Sequence, residues 1–269
     1  MAHFAHYIRR TISLSPGGVD NALPYVENQT DDQGFERPLY HSVPKSSGAA
    51  SRAKEGDTFW LFSQLRTPWG ELLPSLDARI VVKSITKTGL GASTRTRFAA
   101  TETSEWFPIF DASALLSTLL SQNAIGKCQP VLSPKASTVG QALRFPREIS
   151  NAEEIIAHCN SLKSTPMDFV SYRMVDGTRA AFQLVRSLTK EGKSVFWDRW
   201  SLPRRMSERG ERLSNLALDR RIQQAIFASR RVWGVESPGY AVKGSYSLLE
   251  KALATELRKF EPYSLSNDA

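Results

Sequence analysis

Two short apolar runs, Phe169-Val170 after Asp168 and Val195-Phe196-Trp197 after Ser194, end in polar residues and are followed by segments of helical length. Parallel strands that deliver side chains to one edge of a sheet have this pattern. Asp168–Arg173 is a first strand. Gly177–Lys190 is a helix with Ala181, Leu184, Val185 and Leu188 on one face, closed by Gly192. Ser194–Trp200 reads as a second strand, Leu218–Ser229 as a second helix, Val232–Glu236 as a third strand and Tyr246–Phe260 as a third helix. Strict alternation predicts right-handed crossovers and a parallel sheet covered on both faces. Functional side chains are then expected at the carboxyl ends of the strands.

The earlier part of the chain has a different period. Tyr7–Leu14 reads as a strand, followed by turn signals at Pro16-Gly17-Gly18, a polar run from Asn28 to Gly34, and a Ser, Gly and Ala-rich loop from Lys45 to Lys54. Asp57–Leu65, Ala78–Ile85 and Thr94–Thr101 read as further strands. Asp111–Ser121 is expected to be helical behind an Asp111 cap, Val131–Phe145 a strand or loop, and Asn151–Ser161 a short helix. The polar stretch Ser161–Pro166 marks a boundary, giving a β-rich α+β domain over 1–162 and an α/β domain over 163–269.

Composition narrows the function. A chain of 269 residues that is 41% hydrophobic has enough apolar material for two packed cores. Its apolar runs fall short of a membrane span, and Met1–Arg10 lacks the continuous apolar core of a signal peptide. A cytoplasmic protein without a membrane partner is expected. Cys128 and Cys159 show no metal spacing and read as two buried thiols, and His3, His6, His41 and His158 are too scattered for a catalytic constellation. Trp60, Trp69, Trp106 and Phe107 suit either a stacking surface or a core, and burial preference favours the core.

The formal charge of +8 is concentrated after residue 162. Arg199, Arg204, Arg205, Arg209, Arg212, Arg220, Arg221, Arg230 and Arg231 make the second half basic, either as a solvated face or as a surface for a pyrophosphate, a nucleic acid or an acidic face of another copy. The near-neutral first half argues against tight nucleic-acid binding there.

Four motifs in order carry a resemblance. Asp168-Phe169-Val170-Ser171-Tyr172-Arg173, then Gly192-Lys193-Ser194-Val195-Phe196-Trp197-Asp198 with Leu202-Pro203, then Ser237-Pro238-Gly239-Tyr240, then Ser245-Tyr246-Ser247 with Glu250, resemble the Toll/interleukin-1 receptor (TIR) domain, in particular its bacterial NAD-consuming branch. The resemblance covers about residues 165–260 and implies a flavodoxin-like sheet. It departs in two ways: the family continues with two more strands, and Gly210 comes late in a long Arg-rich loop. The sheet is thus expected to be short, completed by the first half, or shared between protomers. Separately, Gly56-Asp57-Thr58-Phe59-Trp60-Leu61 faintly resembles PUA or EVE-like modules.

The TIR resemblance implies an NAD+ nucleosidase, a hydrolase or ADP-ribose cyclase of anti-phage defence, with NAD+ as substrate and neither cofactor nor metal. It also implies self-association through this domain, with residues 1–162 as a sensor or oligomerisation module for a protein or nucleic-acid trigger. Glu250 is the implied catalytic residue, and Ser171, Tyr172, Arg173, Trp197, Asp198, Trp200, Ser237, Tyr240, Ser245 and Tyr246 the implied substrate-binding residues. One fixed carboxylate suits this chemistry, because the departing nicotinamide leaves an oxocarbenium-like ribose and needs no strong acid. Asp198 is alternatively an anchor for its loop, and Glu250 a solvated helix carboxylate at an exposed site that tolerates alanine. The rival functions are a non-enzymatic TIR adaptor and a nucleotide N-glycosidase.

Overall fold

A computed structural model describes residues 1–12, 14–15, 18–19, 37–44, 48–89, 94–123, 125–202, 215–242 and 246–264. The first half supplies β1 (His3–Thr11), β2 (Leu14–Ser15), β3 (Gly18–Val19), β4 (Tyr40–Pro44), β5 (Thr58–Thr67), β6 (Gly70–Glu71), β7 (Ser75–Thr88), β8 (Arg95–Ala100) and β9 (Glu105–Trp106). Helix α1 (Ser113–Thr118), β10 (Leu120–Gln122), β11 (Cys128–Pro130), α2 (Val139–Ala142), β12 (Arg147–Glu148) and α3 (Ala152–Ser164) complete it. The main sheet is mixed and curled, in the order β12-β1-β5-β7-β8-β4, with β1 and β5 parallel.

Strand β5 runs through the middle of that sheet and is buried on both faces, as its unbroken apolar run requires. Phe59 and Leu61 pack with Phe4, Ile80 and Phe98 on one side. Trp60 and Phe62 face the other side, against Leu115 and Leu116 of α1 and Ile155 and Cys159 of α3. Trp60 and Phe107 are buried, and Trp69 and Trp106 pack partly buried against the cores. These aromatics are packing residues in this fold.

The second half alternates β13 (Met167–Ser171), α4 (Thr178–Lys190), β14 (Ser194–Trp197), α5 (Asp198–Ser201), α6 (Asn215–Ala228), β15 (Arg231–Val235), α7 (Tyr246–Glu256) and β16 (Phe260–Tyr263). All four strands are parallel, in the order β14-β13-β15-β16. Ala181, Leu184, Val185 and Leu188 of α4 cover one face with Val170 and Trp197. Ile222, Ala225 and Ile226 of α6 and Ala254 of α7 cover the other, against Phe169, Phe196 and Val232. Fully burying such a side chain contributes about 1.5–3 kcal/mol, so the two apolar faces fix the layer order.

The halves share a core. Ile12, Leu65, Leu72 and Ile109 of the first half pack directly with the α4 face of the parallel sheet. Ile109 also forms an antiparallel bridge to Val195, with reciprocal backbone bonds of 2.9 Å that cover the β14 edge. Arg10 crosses the same seam: it pairs with Asp77 at 2.6 and 2.8 Å, donates to the Trp200 carbonyl at 2.7 Å and stacks on the Trp200 ring. Asp77 also accepts from Ser63 Oγ, so every strong partner of this buried pair is a specific one.

Several sequence expectations change. Of the two cysteines expected to be buried, Cys159 is buried against α1 and β5, while Cys128 is exposed at the start of the short strand β11. A fourth strand, β16, follows α7, because Arg258 adopts a left-handed φ of 56° and turns the chain back onto β15. In the parallel ladder the backbone nitrogen of Pro262 points away from β15, so this edge presents no N–H at that position. The second strand stops at Trp197, and Asp198–Ser201 is a helical turn, so the strand alternation expected through Trp200 does not apply. The helix expected over Asp111–Ser121 spans only Ser113–Thr118. Asp111 caps it from outside, accepting from the Ser113 backbone and hydroxyl. Gly48–Arg52, expected as loop, is a 3-10 turn with Ala50 in the core. The turn at Pro16-Gly17, the run Asn28–Gly34, Pro203, Gly210, Ser245 and the arginines 204, 205, 209 and 212 lie outside the described residues. Among the described residues no helix is long and apolar enough to cross a membrane.

Candidate functional site

Ser171 is the last residue of β13. Strand alternation turns it to the same face as Phe169, the face that α7 covers. Ser247, Glu250 and Ala254 form the buried stripe of α7, so the Glu250 carboxylate is carried to the carboxyl ends of β13 and β15. There Ser171 Oγ donates to Glu250 Oε2 at 2.5 Å, and the Tyr240 hydroxyl lies 3.1 Å from the same Oγ. With the serine proton directed at the carboxylate, Tyr240 is the donor to Ser171, which gives a relay Tyr240 to Ser171 to Glu250.

Glu250 is only 9% exposed, against the expectation of an exposed helix position. Burial pushes its carboxyl up to about 7, opposed by the Ser171 bond and assisted by the nearby charge of Asp198. Near neutrality it therefore divides between acid and anion, which suits a group that must both shed and hold charge. Burial also pushes the Tyr240 phenol up to about 12, so Tyr240 stays a donor.

Gly234, paired with Ser171 across the β13–β15 ladder, makes room for this arrangement. A methyl group there would fall 2.7 Å from the Tyr240 hydroxyl and collide with the Phe260 ring. Beside the relay is a second network: the Tyr172 hydroxyl donates to Asp198 Oδ1 at 2.5 Å and accepts from Arg199 Nε at 3.0 Å. Asp198 thus anchors the turn after β14, and its charge also acts on Glu250.

The remaining expected residues are distributed around this pair. Arg173 and Ser237 lie on the rim and meet at Asp176: Ser237 Oγ donates to Asp176 Oδ1 at 2.8 Å, and Arg173 Nη1 sits 3.5 Å from Oδ2. Tyr246 is partly exposed on α7 and bonded to Asp219 of α6. Trp197 and Trp200 are not brought to the site. Both are fully buried in the shared core, where Trp200 Nε1 donates to the Phe107 carbonyl. Ser245 lies outside the described residues. Asp176 and Gly234 are not among the expected residues, although Asp176-Gly177 stands just before α4 and an acidic residue at a helix start is a visible signal. Arg199, expected in the basic run as a solvated face or an anion-binding surface, is instead buried, with its Nε donating to the Tyr172 hydroxyl.

Elsewhere, His6 Nδ1 and His41 Nε2 lie 3.0 Å apart inside the first half, a pair that a separation of 35 positions concealed in the sequence. Among the described residues no group of three or more His, Cys, Asp or Glu is placed to hold a metal ion. A small cleft lined by Trp106, Phe107, Met167, Phe196, Ser201 and Arg221 opens at the seam, and no residue of the Glu250 relay lines it.

Fold and site together define a mixed α/β protein with a buried carboxylate at the carboxyl ends of a four-stranded parallel sheet. No protein-family model, curated protein or solved structure matches the chain.

Proposed function

We propose that the chain is a TIR-type NAD+ nucleosidase in which Glu250 stabilises the ribose cation formed as nicotinamide departs. The observation that carries this reading is the seating of Glu250: buried, bonded to Ser171, and placed where ligands bind in open α/β sheets. A carboxylate in such a place interacts strongly with developing positive charge, because little water screens it. Ser171 orients one carboxylate oxygen, and Tyr240 holds Ser171 in turn. The bond broken joins the nicotinamide nitrogen to the ribose carbon; the leaving base takes the bonding electrons and becomes neutral. Water then bonds to the ribose carbon and releases one proton to solvent, giving a linear product, or an atom of the same substrate bonds there, giving a cyclic one.

The test is nicotinamide release from NAD+ by the purified chain, with and without forced association, in wild type and Glu250→Gln. Release that drops to background in the variant is the expected result. Unchanged release removes the assignment. No release from NAD+ in any state, with base release from nucleoside monophosphates, would favour the N-glycosidase. No release from either substrate would favour an adaptor.

A further inference from the structure

We infer that Asp176 is a positioning residue, a role that rests on the reading of Glu250 given above: its carboxylate ties the loop after β15 to the loop after β13 and so keeps Tyr240 seated on the Ser171–Glu250 pair. Asp176 does not touch Glu250. Its two oxygens serve two separate donors, Ser237 Oγ at 2.8 Å and the Gly239 backbone N–H at 2.9 Å, which flank the approach to Tyr240. Charge-assisted bonds of this kind are stronger than neutral ones and fix a loop geometrically.

Other features fit a strap held shut at this point. A side chain at Gly239 would overlap the Arg173 guanidinium, so the backbone approaches Arg173 and Asp176 closely only because the residue is glycine. Ala241 takes a left-handed φ of 57°, a conformation an alanine keeps only when its surroundings impose it. On the far side the Ala241 N–H bonds to Ser247 Oγ at 3.2 Å. The strap is thus pinned at Asp176 and at α7, and Tyr240 hangs between the two pins over the carboxylate.

The titratable groups around Glu250 are Asp198 on α5, Tyr240 and Glu236 on the loop after β15, and Tyr246 on its own helix, with Lys251 beside the Tyr240 ring. Releasing the Asp176 pin admits water above Glu250 and removes the desolvation that dominates its raised titration.

The test uses the full chain with carboxyl-labelled glutamate, the Glu250 resonance being assigned by its loss in Glu250→Gln. Asp176→Ala is expected to lower the Glu250 midpoint by about one pH unit or more, and Asp176→Asn, which keeps an acceptor, by less. The acid limb of nicotinamide release should move in the same direction. An unchanged midpoint in folded Asp176→Ala overturns the inference. If that variant does not fold, Ser237→Ala removes one of the two bonds and is expected to give a smaller downward shift; no shift there overturns it as well. Midpoints that move while wild type releases no nicotinamide would sink the NAD+ reading and leave the positioning role standing.

Discussion

Ser171 Oγ and Glu250 Oε2 are 2.5 Å apart across 79 residues of chain, joining the end of the first parallel strand to the third long helix of the parallel unit. The serine bond is the one contact that holds the Glu250 titration down against burial. Removing it in Ser171→Ala is expected to raise the midpoint above about 7. A rise of one unit lowers the anionic fraction well above neutrality little and that at pH 7 several-fold, approaching ten-fold at lower pH. Nicotinamide release measured from pH 5 to 9 should show its acid limb displaced to higher pH. A limb that stays in place would mean that Ser171 does not act on the carboxylate proposed to react.

The same carboxylate makes stability depend on pH. Its folded midpoint lies near 7 and its ordinary value at 4.5, so between these values the native state binds more protons than the unfolded state. Stability from this group is therefore complete below about 4.5 and is lost as pH rises through about 7, to a limit of about 3 kcal/mol. Glu250→Gln does not titrate there. Urea unfolding at pH 5 and pH 8 should show wild type losing stability relative to the variant at the higher pH. A constant difference would mean the carboxyl is not raised.

Gly234 provides a geometric test. Because a methyl group there meets both Phe260 and the Tyr240 hydroxyl, Gly234→Ala is expected to push Tyr240 off Ser171 while the β13–β15 ladder persists. The cost of overpacking is about 1–3 kcal/mol. Nicotinamide release should fall more than in a Tyr240→Phe variant, which loses only the hydroxyl. Equal rates for Gly234→Ala and wild type would show that the Tyr240 position is immaterial.

Three strands and the helices covering them in the second half were legible because each has its own period, whereas Ser171, Tyr240 and Glu250 came from the motifs that carry the TIR resemblance: Tyr240 lies beyond the end of β15 and Glu250 inside α7. What the sequence concealed was tertiary. Trp197 and Trp200 read as pocket residues, but a second sheet packs on them, and nothing local in Phe196-Trp197-Asp198-Arg199-Trp200 announces that neighbour. Asp176 acts through residues more than sixty positions away. Phe260–Tyr263 is four residues long with a proline inside, too short for a period-2 pattern to stand out, yet it lies against β15 as a strand. The burial of Glu250 likewise depends on a strap and a strand end from elsewhere in the chain.

The His6–His41 pair predicts acid sensitivity in the first half. Burial lowers His6 to about 4 and His41 well below its usual value, with the charge of Arg95 acting in the same direction on both. Between the folded and ordinary values the unfolded state binds more protons, so stability rises with pH there. The contribution is complete above about 6.5 and falls as pH drops, by up to about 1.4 kcal/mol per unit for each histidine. This is opposite in sign to Glu250. The double variant His6→Leu/His41→Phe, whose new ring would meet Phe59 and Phe98, should flatten the acid limb of a stability profile between pH 6.5 and 4.5. A limb as steep as wild type would place the acid sensitivity elsewhere.

Arg10 and Asp77 are each 1% exposed, and Arg10 reaches across the seam to the Trp200 carbonyl and ring. Removing one partner leaves a buried charge with little water and few donors, which typically costs about 3–5 kcal/mol. Arg10→Met is expected to fall in that range in urea unfolding, whereas Arg10→Met/Asp77→Leu should recover much of the loss because no unpaired charge remains. The stability of the double variant separates two roles for the pair. The turn after β14 also carries Asp198 and Arg199, which hold Tyr172, so losing the Arg10 tether should loosen that network even where stability is restored. Nicotinamide release by the double variant is expected to stay below wild type at equal folded fraction. Full recovery of both stability and release would mean the ion pair serves the core alone and does not support the site across the seam.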